Sequence, residues 1–363
     1  MKQRIQTLDG LRFLSAIGVL WIHSWTAHRN PKLQIGFINF SDILAIGGNG
    51  VDLFFVISGF CMYYFYGSKP DFNYHSFYRF ILKRWVRLSP AFYVATIVYA
   101  LVSKFIYHNQ VDIIFNFFHS VFYCNYIFNQ YNTATHFWTL TVEWQFYFLI
   151  PFLLIWQNKI GFKNAFLLIF GTLFLITLIS VFILNNNFDF LSYTILYRGI
   201  EFACGILAAR ILIRQVAIQR NRKLLGVAFV VVVFCGRILV SQRVFSLSAD
   251  YYNFFRLFGF TFMGIGFAGI LFLSVTSANW AYYILGNPLF KKVGRVSYSF
   301  YLFHALVIPL IAALNIKYLP FSDSFAAPVI TTVISAVIIY PIALLSFNFL
   351  EKPFLSVGNL TTK

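Results

Sequence analysis

Residues 165–184, AFLLIFGTLFLITLISVFIL, form an uninterrupted apolar run of 20 residues without a charged side chain. A run of this length matches an α-helix that crosses the hydrocarbon core of a bilayer. Comparable runs recur along the whole chain of 363 residues, of which 60% are hydrophobic and 11% are charged. Soluble domains keep about a quarter of their residues charged. The sequence therefore predicts an all-α, polytopic membrane helical bundle that forms a single domain over residues 1–363.

The apolar runs predict about ten transmembrane helices, with both termini on the cytoplasmic side. The predicted ranges are about 11–28, 43–64, 90–107, 137–156, 165–184, 191–213, 224–241, 253–275, 296–314 and 327–349. A half-apolar stretch at 113–128 is interpreted as a re-entrant or interfacial helix. A transmembrane β-barrel would instead show alternating segments of about ten residues, and the sequence has none.

The formal net charge of +17 first suggests a nucleic-acid partner, but the distribution of the charges favours another explanation. Most of the basic residues fall in short loops between apolar runs, on the side that the positive-inside rule assigns to the cytoplasm. We therefore expect anionic membrane lipid, and no nucleic acid, among the partners.

The first predicted helix carries two polar residues on one face, within LDGLRFLSAIGVLWIH (8–23). Arg12 and His23 are eleven residues apart, which brings them back to within about 20° of each other and separates them by about 16 Å along the axis. Arg12 is expected at the cytoplasmic mouth and His23 in the outer half of the membrane. The alternatives are a topological anchor for Arg12 and a hydrogen-bonded core histidine for His23.

Charged residues recur in the outer halves of other predicted helices, where burial of a charge is costly. Asp52 opens helix 2, Glu143 lies two turns inside helix 4, and Arg198 and Glu201 can pair along helix 6. If these groups converge on His23, a histidine beside a carboxylate forms a general base. The alternatives are a first-turn carboxylate for Asp52 and a structural ion pair for Arg198 and Glu201.

On the predicted cytoplasmic side, the polar residues are mainly basic. A basic cluster of the kind that binds phosphate groups is formed by Arg12, Lys83, Arg84 and Arg87.

In the ninth predicted helix, Tyr301 and His304 share a face with Tyr298 because the spacing is three residues. His304 is expected in the inner half of the membrane, either in a site or as a bonded core histidine.

Taken together, these motifs resemble the membrane-bound acyltransferase-3 family, bacterial enzymes that O-acylate surface carbohydrates. The resemblance covers nearly the whole chain and rests on the order and spacing of the motifs. The motifs are LDGLRFLSAIGVLWIH (8–23), GVDLFFVISGF (50–60), KRWVRLSP (83–90), FWTLTVEWQFYFLIP (137–151), YRGIEFACG (197–205), GRVSYSFYLFHALV (294–307) and LEKPF (350–354). Arg12 and His23 match the family's basic residue and histidine, Arg84 and Arg87 its Arg-x-x-Arg motif, and Glu143 its fourth-helix glutamate.

The resemblance implies a bacterial inner-membrane enzyme that takes an acyl group, most commonly acetyl, from acyl-CoA in the cytoplasm. Its acceptor would be a hydroxyl of a lipid-linked or surface carbohydrate. No metal is expected. Some members carry an additional SGNH-type hydrolase domain, and we expect the stand-alone form without it.

These expectations combine into one mechanistic hypothesis. His23 acts as general base or acyl carrier, and Glu143 or Asp52 orients its ring. The expected donor-binding residues are Arg12, Lys83, Arg84 and Arg87, and the expected substrate-binding or supporting residues are Arg198, Glu201, Tyr301 and His304.

Two other functions fit part of the pattern. A transporter or flippase of lipid-linked sugars would also have polar intramembrane residues, although such proteins often show repeated halves or broken helix pairs. A cytoplasmic-facing succinyl- or N-acyltransferase of the same family would differ in its product, which mass spectrometry distinguishes.

Overall fold

The computed structural model describes residues 5–35, 38–39, 41–69, 72–124, 134–183, 191–215, 221–240, 249–276, 280–318 and 324–354. These ranges are almost entirely α-helical, which confirms the predicted fold class. Within them the strands are a small antiparallel pair, β1 (Gln34–Ile35) and β2 (Ile38–Asn39), of two residues each.

The α-helices are numbered here in chain order. They are α1 (Gln6–Ala27), α2 (Ser41–Leu44), α3 (Gly50–Tyr66), α4 (Tyr74–Phe105), α5 (Ile113–Val121), α6 (Trp138–Ile160), α7 (Phe162–Phe166), α8 (Thr172–Ile183), α9 (Ile195–Ile213), α10 (Arg222–Val240), α11 (Ala249–Thr276), α12 (Trp280–Leu285), α13 (Pro288–Arg295), α14 (Ser297–Tyr318) and α15 (Ala326–Ser346). A π-helical turn, Leu167–Gly171, joins α7 to α8, and a second one, Phe347–Glu351, extends α15.

Eight helices in the described part of the chain are long and apolar enough to cross a membrane. The chain is thus a multi-pass membrane protein. Helices α1 and α9 have comparable lengths of 22 and 19 residues but are not among the eight. The first carries Asp9 and Arg12, and the second carries Arg198, Glu201 and Arg210. The total of ten spans and the side of the termini stay predictions.

The half-apolar stretch at 113–128 forms α5, a helix of nine residues. At 1.5 Å per residue it is about 13 Å long, which is too short to span a bilayer. It exposes Ile114, Phe115 and Phe118, as expected of a helix that lies at an interface. Residues 125–128 of the predicted stretch lie outside the described residues.

The basic stretch at 68–90 lies between the second and third predicted spans, and we expected it to be a loop. It is helical from Tyr74 onward. Helix α4 begins at Tyr74, where the side chain of Asn73 accepts a hydrogen bond of 3.0 Å from the backbone N–H of Ser76, and it continues for 32 residues. The expectation was wrong because it ended the span at the first charges. Phe80 and Leu88, eight residues apart, are both buried and hold this segment against the bundle. Arg84 and Arg87 therefore stand on a rigid helix.

The basic stretch LGNPLFKKVGR (285–295), also expected to be a loop, begins at the end of the short helix α12 and contains the short helix α13. Asn287 caps α13 by accepting a hydrogen bond of 2.8 Å from the N–H of Leu289. A Cβ atom at Gly294 would overlap the carbonyl group of Asp9 in α1, and one at Gly10 would overlap that of Leu285. This close packing holds α13 against the first turns of α1.

Glycines also bring α3 and α9 together. A Cβ atom at Gly59 would overlap the carbonyl oxygen of Phe202, and one at Gly205 would overlap that of Val56. Such contacts are typical of tightly packed membrane helices. Helix α1 packs against α3, α13, α14 and α15, so its polar face points into the protein.

Candidate active site

A cavity opens between α1, α3, α4, α6, α13 and α14 and contains about 950 Å³ of unfilled space, part of which is open to solvent. Its lining includes four arginines and two glutamates, so its formal charge is positive. They are Arg12, Arg84, Arg87, Arg295, Glu143 and Glu351.

Helices α1 and α4 supply three of these arginines. Arg12 forms an ion pair of 3.3 Å with Asp9, one turn earlier on α1. The guanidinium carbon of Arg84 lies 5.4 Å from the ring centre of Phe80, and the Nε of this arginine is buried without a hydrogen-bond partner. Arg87 has no ion pair with any residue in the described ranges. Guanidinium groups with unused donors are suited to a phosphate, so this end of the cavity can bind an anion.

Lys83, which we expected in the same cluster, does not line the cavity. It precedes Arg84 by one position, and one position rotates a side chain by about 100° around a helix. The structure therefore brings together three of the four residues of the predicted basic cluster.

Glu143 of α6 lies in the cavity wall and is held by two hydroxyl groups. Its Oε1 accepts hydrogen bonds from Ser58, at 3.1 Å, and from Tyr147, at 2.5 Å. We expected Glu143 beside His23, but neither a hydrogen bond nor an ion pair joins these two residues, both of which are described. The glutamate instead faces the same cavity as the arginines.

Three histidines form a cluster beside the cavity, of which His136 and His304 are buried and His23 is half-buried. The ring centre of His304 is 4.9 Å from that of His23 and 4.6 Å from that of His136. We expected His23 and His304 in opposite halves of the membrane. Their contact corrects that expectation and shows that α1 and α14 bring them to the same depth.

Tyr301 stands between the histidine cluster and the cavity. It lines the cavity, and its ring lies 5.3 Å from that of His304. Its hydroxyl donates a hydrogen bond of 2.8 Å to the carbonyl of His136 and lies 2.8 Å from Oγ1 of Thr139. The cavity thus reaches from the arginines to the immediate neighbours of the histidines.

Hydrogen bonds to carbonyl groups fix the tautomers of two of these histidines. Nδ1 of His304 lies 2.5 Å from the carbonyl oxygen of Tyr301. Because a carbonyl can only accept, Nδ1 carries the proton. Nε2 of His304 is then an unprotonated acceptor, and it is buried without a partner. By the same reasoning Nε2 of His136, which is 3.3 Å from the carbonyl oxygen of Leu302, carries a proton. His304 therefore offers a free lone pair within the cluster.

Asp52, Arg198 and Glu201 form a separate, fully buried ion network between α3 and α9. Arg198 contacts Oδ1 of Asp52 at 2.5 Å and Oε2 of Glu201 at 3.1 Å. The predicted Arg198–Glu201 pair is therefore present. Asn49 donates a hydrogen bond of 2.9 Å to the other oxygen of Asp52, and no contact joins Asp52 to His23, although both are described. We expected Asp52 beside the histidine, but its carboxylate is occupied by Arg198.

Sequence reasoning did not single out several residues of this region. Starting from Glu143, the helical spacing of three to four residues leads to Thr139 and Tyr147 on one face of α6 and to His136 on the 3-10 turn just before it, so this pattern could have revealed them. Glu351 falls in the LEKPF motif (350–354), but sequence reasoning gave it no role. It lies on the π-helical turn after α15, a feature that often marks functional sites, and accepts a hydrogen bond from Ser299.

Fold and site together define a class: a helical membrane protein with a cationic cavity whose wall includes Tyr301, a direct neighbour of a histidine cluster. The chain belongs to the acyltransferase-3 family, since the sequence model of this family's acyltransferase domain matches residues 5–346. No solved structure matches the chain.

Curated relatives support this assignment. The chain is 25% identical over 388 residues to the peptidoglycan O-acetyltransferase OatA of Listeria monocytogenes, with 98% of this chain and 57% of the relative covered. It is 26% identical over 391 residues to the O-acetyltransferase OatA of Staphylococcus aureus, with 97% and 57% covered. The chain thus spans a little over half the length of these relatives.

Proposed function

We propose that this protein is an O-acetyltransferase of the bacterial inner membrane. It moves an acetyl group from cytoplasmic acetyl-CoA to a hydroxyl of a lipid-linked or surface carbohydrate. One observation carries the proposal: a single cavity extends from Arg12, Arg84 and Arg87 to Tyr301, which touches His304. The relatives named O-acetyltransferases add independent support.

The length of the donor matches the separation of Arg12 and His23. The roughly thirteen bonds between the thioester sulfur and the pyrophosphate of an acyl-CoA span about 15 Å when extended. Arg12 and His23 are separated by about 16 Å along α1. With its phosphates on the arginines, a donor of this length brings its thioester to the histidine end.

The chemistry needs a base, because a sugar hydroxyl is a weak nucleophile. Neutral His23 removes the hydroxyl proton, the oxygen attacks the thioester carbonyl, and the carbon–sulfur bond breaks to release the CoA thiolate, which takes up a proton. His23 can alternatively carry the acetyl group itself between donor and acceptor. In the first case the lone pair on Nε2 of His304 stabilises the imidazolium that forms. His304 thereby takes the supporting role beside His23 for which the sequence suggested a carboxylate.

Arg87→Ala tests the donor end. We expect the KM for acetyl-CoA to rise about 10- to 100-fold with little change in kcat, because a charge-assisted contact to phosphate contributes about 1.5–3 kcal/mol. The measurement is the initial rate of transfer as a function of donor concentration. Lys83→Ala is the matched control, since it removes a charge from the same helix outside the cavity. An unchanged KM in Arg87→Ala would remove this arginine from the donor site.

The experiment that tests the function uses membranes that contain the protein, native lipid-linked glycans or peptidoglycan as acceptor, and labelled acetyl-CoA. Label that enters carbohydrate only in the presence of the protein supports O-acetyl transfer, and mass spectrometry distinguishes an added acetyl from an added succinyl group. Movement of glycan across the membrane without acetyl-CoA would instead favour a flippase.

A further inference from the structure

We infer that Arg295, at the end of α13, binds the 3′-phosphate of the CoA donor and makes the enzyme selective for 3′-phosphorylated donors. The inference rests on the proposed function and deepens it. Neither the sequence motifs nor the comparisons assign a role to this residue.

Arg295 differs from the other residues of the cavity wall in its exposure. Among the described residues that line the cavity it is the exposed one, whereas Arg12, Arg84 and Arg87 are partly buried. It therefore lies at the mouth. Its guanidinium forms no ion pair with any residue in the described ranges, so all of its donors are available to a ligand.

The backbone of Arg295 is held firmly in place. The preceding residue, Gly294, is buried and packs so closely on Asp9 that a Cβ atom would overlap it. Asp9 in turn pairs with Arg12. Arg295 is thus positioned at the Arg12 end of the cavity, the end at which the donor's phosphates are proposed to bind.

The order of groups along acyl-CoA assigns the phosphates. The thioester must enter first to reach Tyr301, so the pyrophosphate follows it to the inner arginines and the adenosine remains nearest the mouth. The 3′-phosphate is a monoester that carries close to two negative charges at neutral pH. An unpaired guanidinium is the side chain best suited to such a group.

The test compares acetyl-CoA with acetyl-3′-dephospho-CoA as donors. The proteins are the wild type, Arg295→Ala and Arg295→Lys in membranes. We expect the wild type to show a KM about tenfold higher for the dephospho donor. In Arg295→Ala, the KM for acetyl-CoA should rise by about the same factor while that for the dephospho donor stays unchanged, so that the two donors become equivalent. The kcat should not change, and Arg295→Lys should retain part of the discrimination.

Lys292→Ala is the matched control, because Lys292 is an exposed basic residue of the same helix that does not line the cavity. It should keep the discrimination of the wild type. The inference would be overturned by equal KM values for the two donors in the wild type, or by an equal rise in KM for both donors in Arg295→Ala. Failure of the proposed function looks different: the wild type would then transfer label from neither donor, and the inference would fall with the function.

Discussion

Replacing His23 with alanine is expected to lower acetyl transfer by a factor of about 10²–10⁴, the usual contribution of a general base. The loss should appear in kcat and persist at saturating donor, because His23 lies away from the arginines that are proposed to bind the phosphates. If His23 carries the acetyl group itself, the loss would be at least as large. The measurement is the initial rate of label transfer from acetyl-CoA to carbohydrate.

His75→Ala is the control for this variant, because it removes an exposed histidine at the start of α4. Comparable expression and thermal stability of the two variants would show that the effect of His23→Ala is chemical. A folded His23→Ala protein with transfer close to that of the wild type would remove His23 from the reaction.

Replacing Arg198 with alanine is expected to have the largest effect on stability, about 3–5 kcal/mol, because it leaves Asp52 and Glu201 buried without a cation. Asp52 and Glu201 are 2% and 0% exposed, so water cannot take the place of the guanidinium. The measurement is the unfolding of purified protein in detergent, by denaturant or by heat. Arg295→Ala, which removes an exposed and unpaired arginine, should change stability by less than about 0.5 kcal/mol. An Arg198→Ala protein as stable as this control would contradict the structural role assigned to the network.

The sequence was sufficient to predict the long apolar helices and the polar face of α1. Uninterrupted apolar runs have few alternatives to a transmembrane helix, and the spacing of Arg12 and His23 determines their common face whatever the surrounding fold. The same rule failed for α4, because ending a span at its first charges assumes that every side of the helix faces lipid. Arg84 and Arg87 face a cavity, and the helix continues past them.

Contacts between helices were the part that the sequence could not provide. Asp52 and Glu143 were both plausible neighbours of His23, and the choice depends on which helix faces meet. The packing of Gly59 against Phe202 turns Asp52 towards Arg198 instead. The depth of His304 in the membrane likewise depends on how α14 is positioned against α1. The three-residue spacing between Tyr301 and His304 in the sequence does not determine this position.

In the proposed enzyme, one cavity links a donor site at the arginines to a reaction site at His23, by way of Tyr301 and His304. The most direct test measures label transfer to carbohydrate as a function of acetyl-CoA concentration for the wild type, Arg87→Ala and His23→Ala in parallel membrane preparations. We expect a high donor concentration to restore Arg87→Ala to nearly the wild-type rate and to leave His23→Ala inactive. If His23→Ala also recovered at high donor concentration, or if Arg87→Ala did not, the division of the cavity into these two sites would be contradicted.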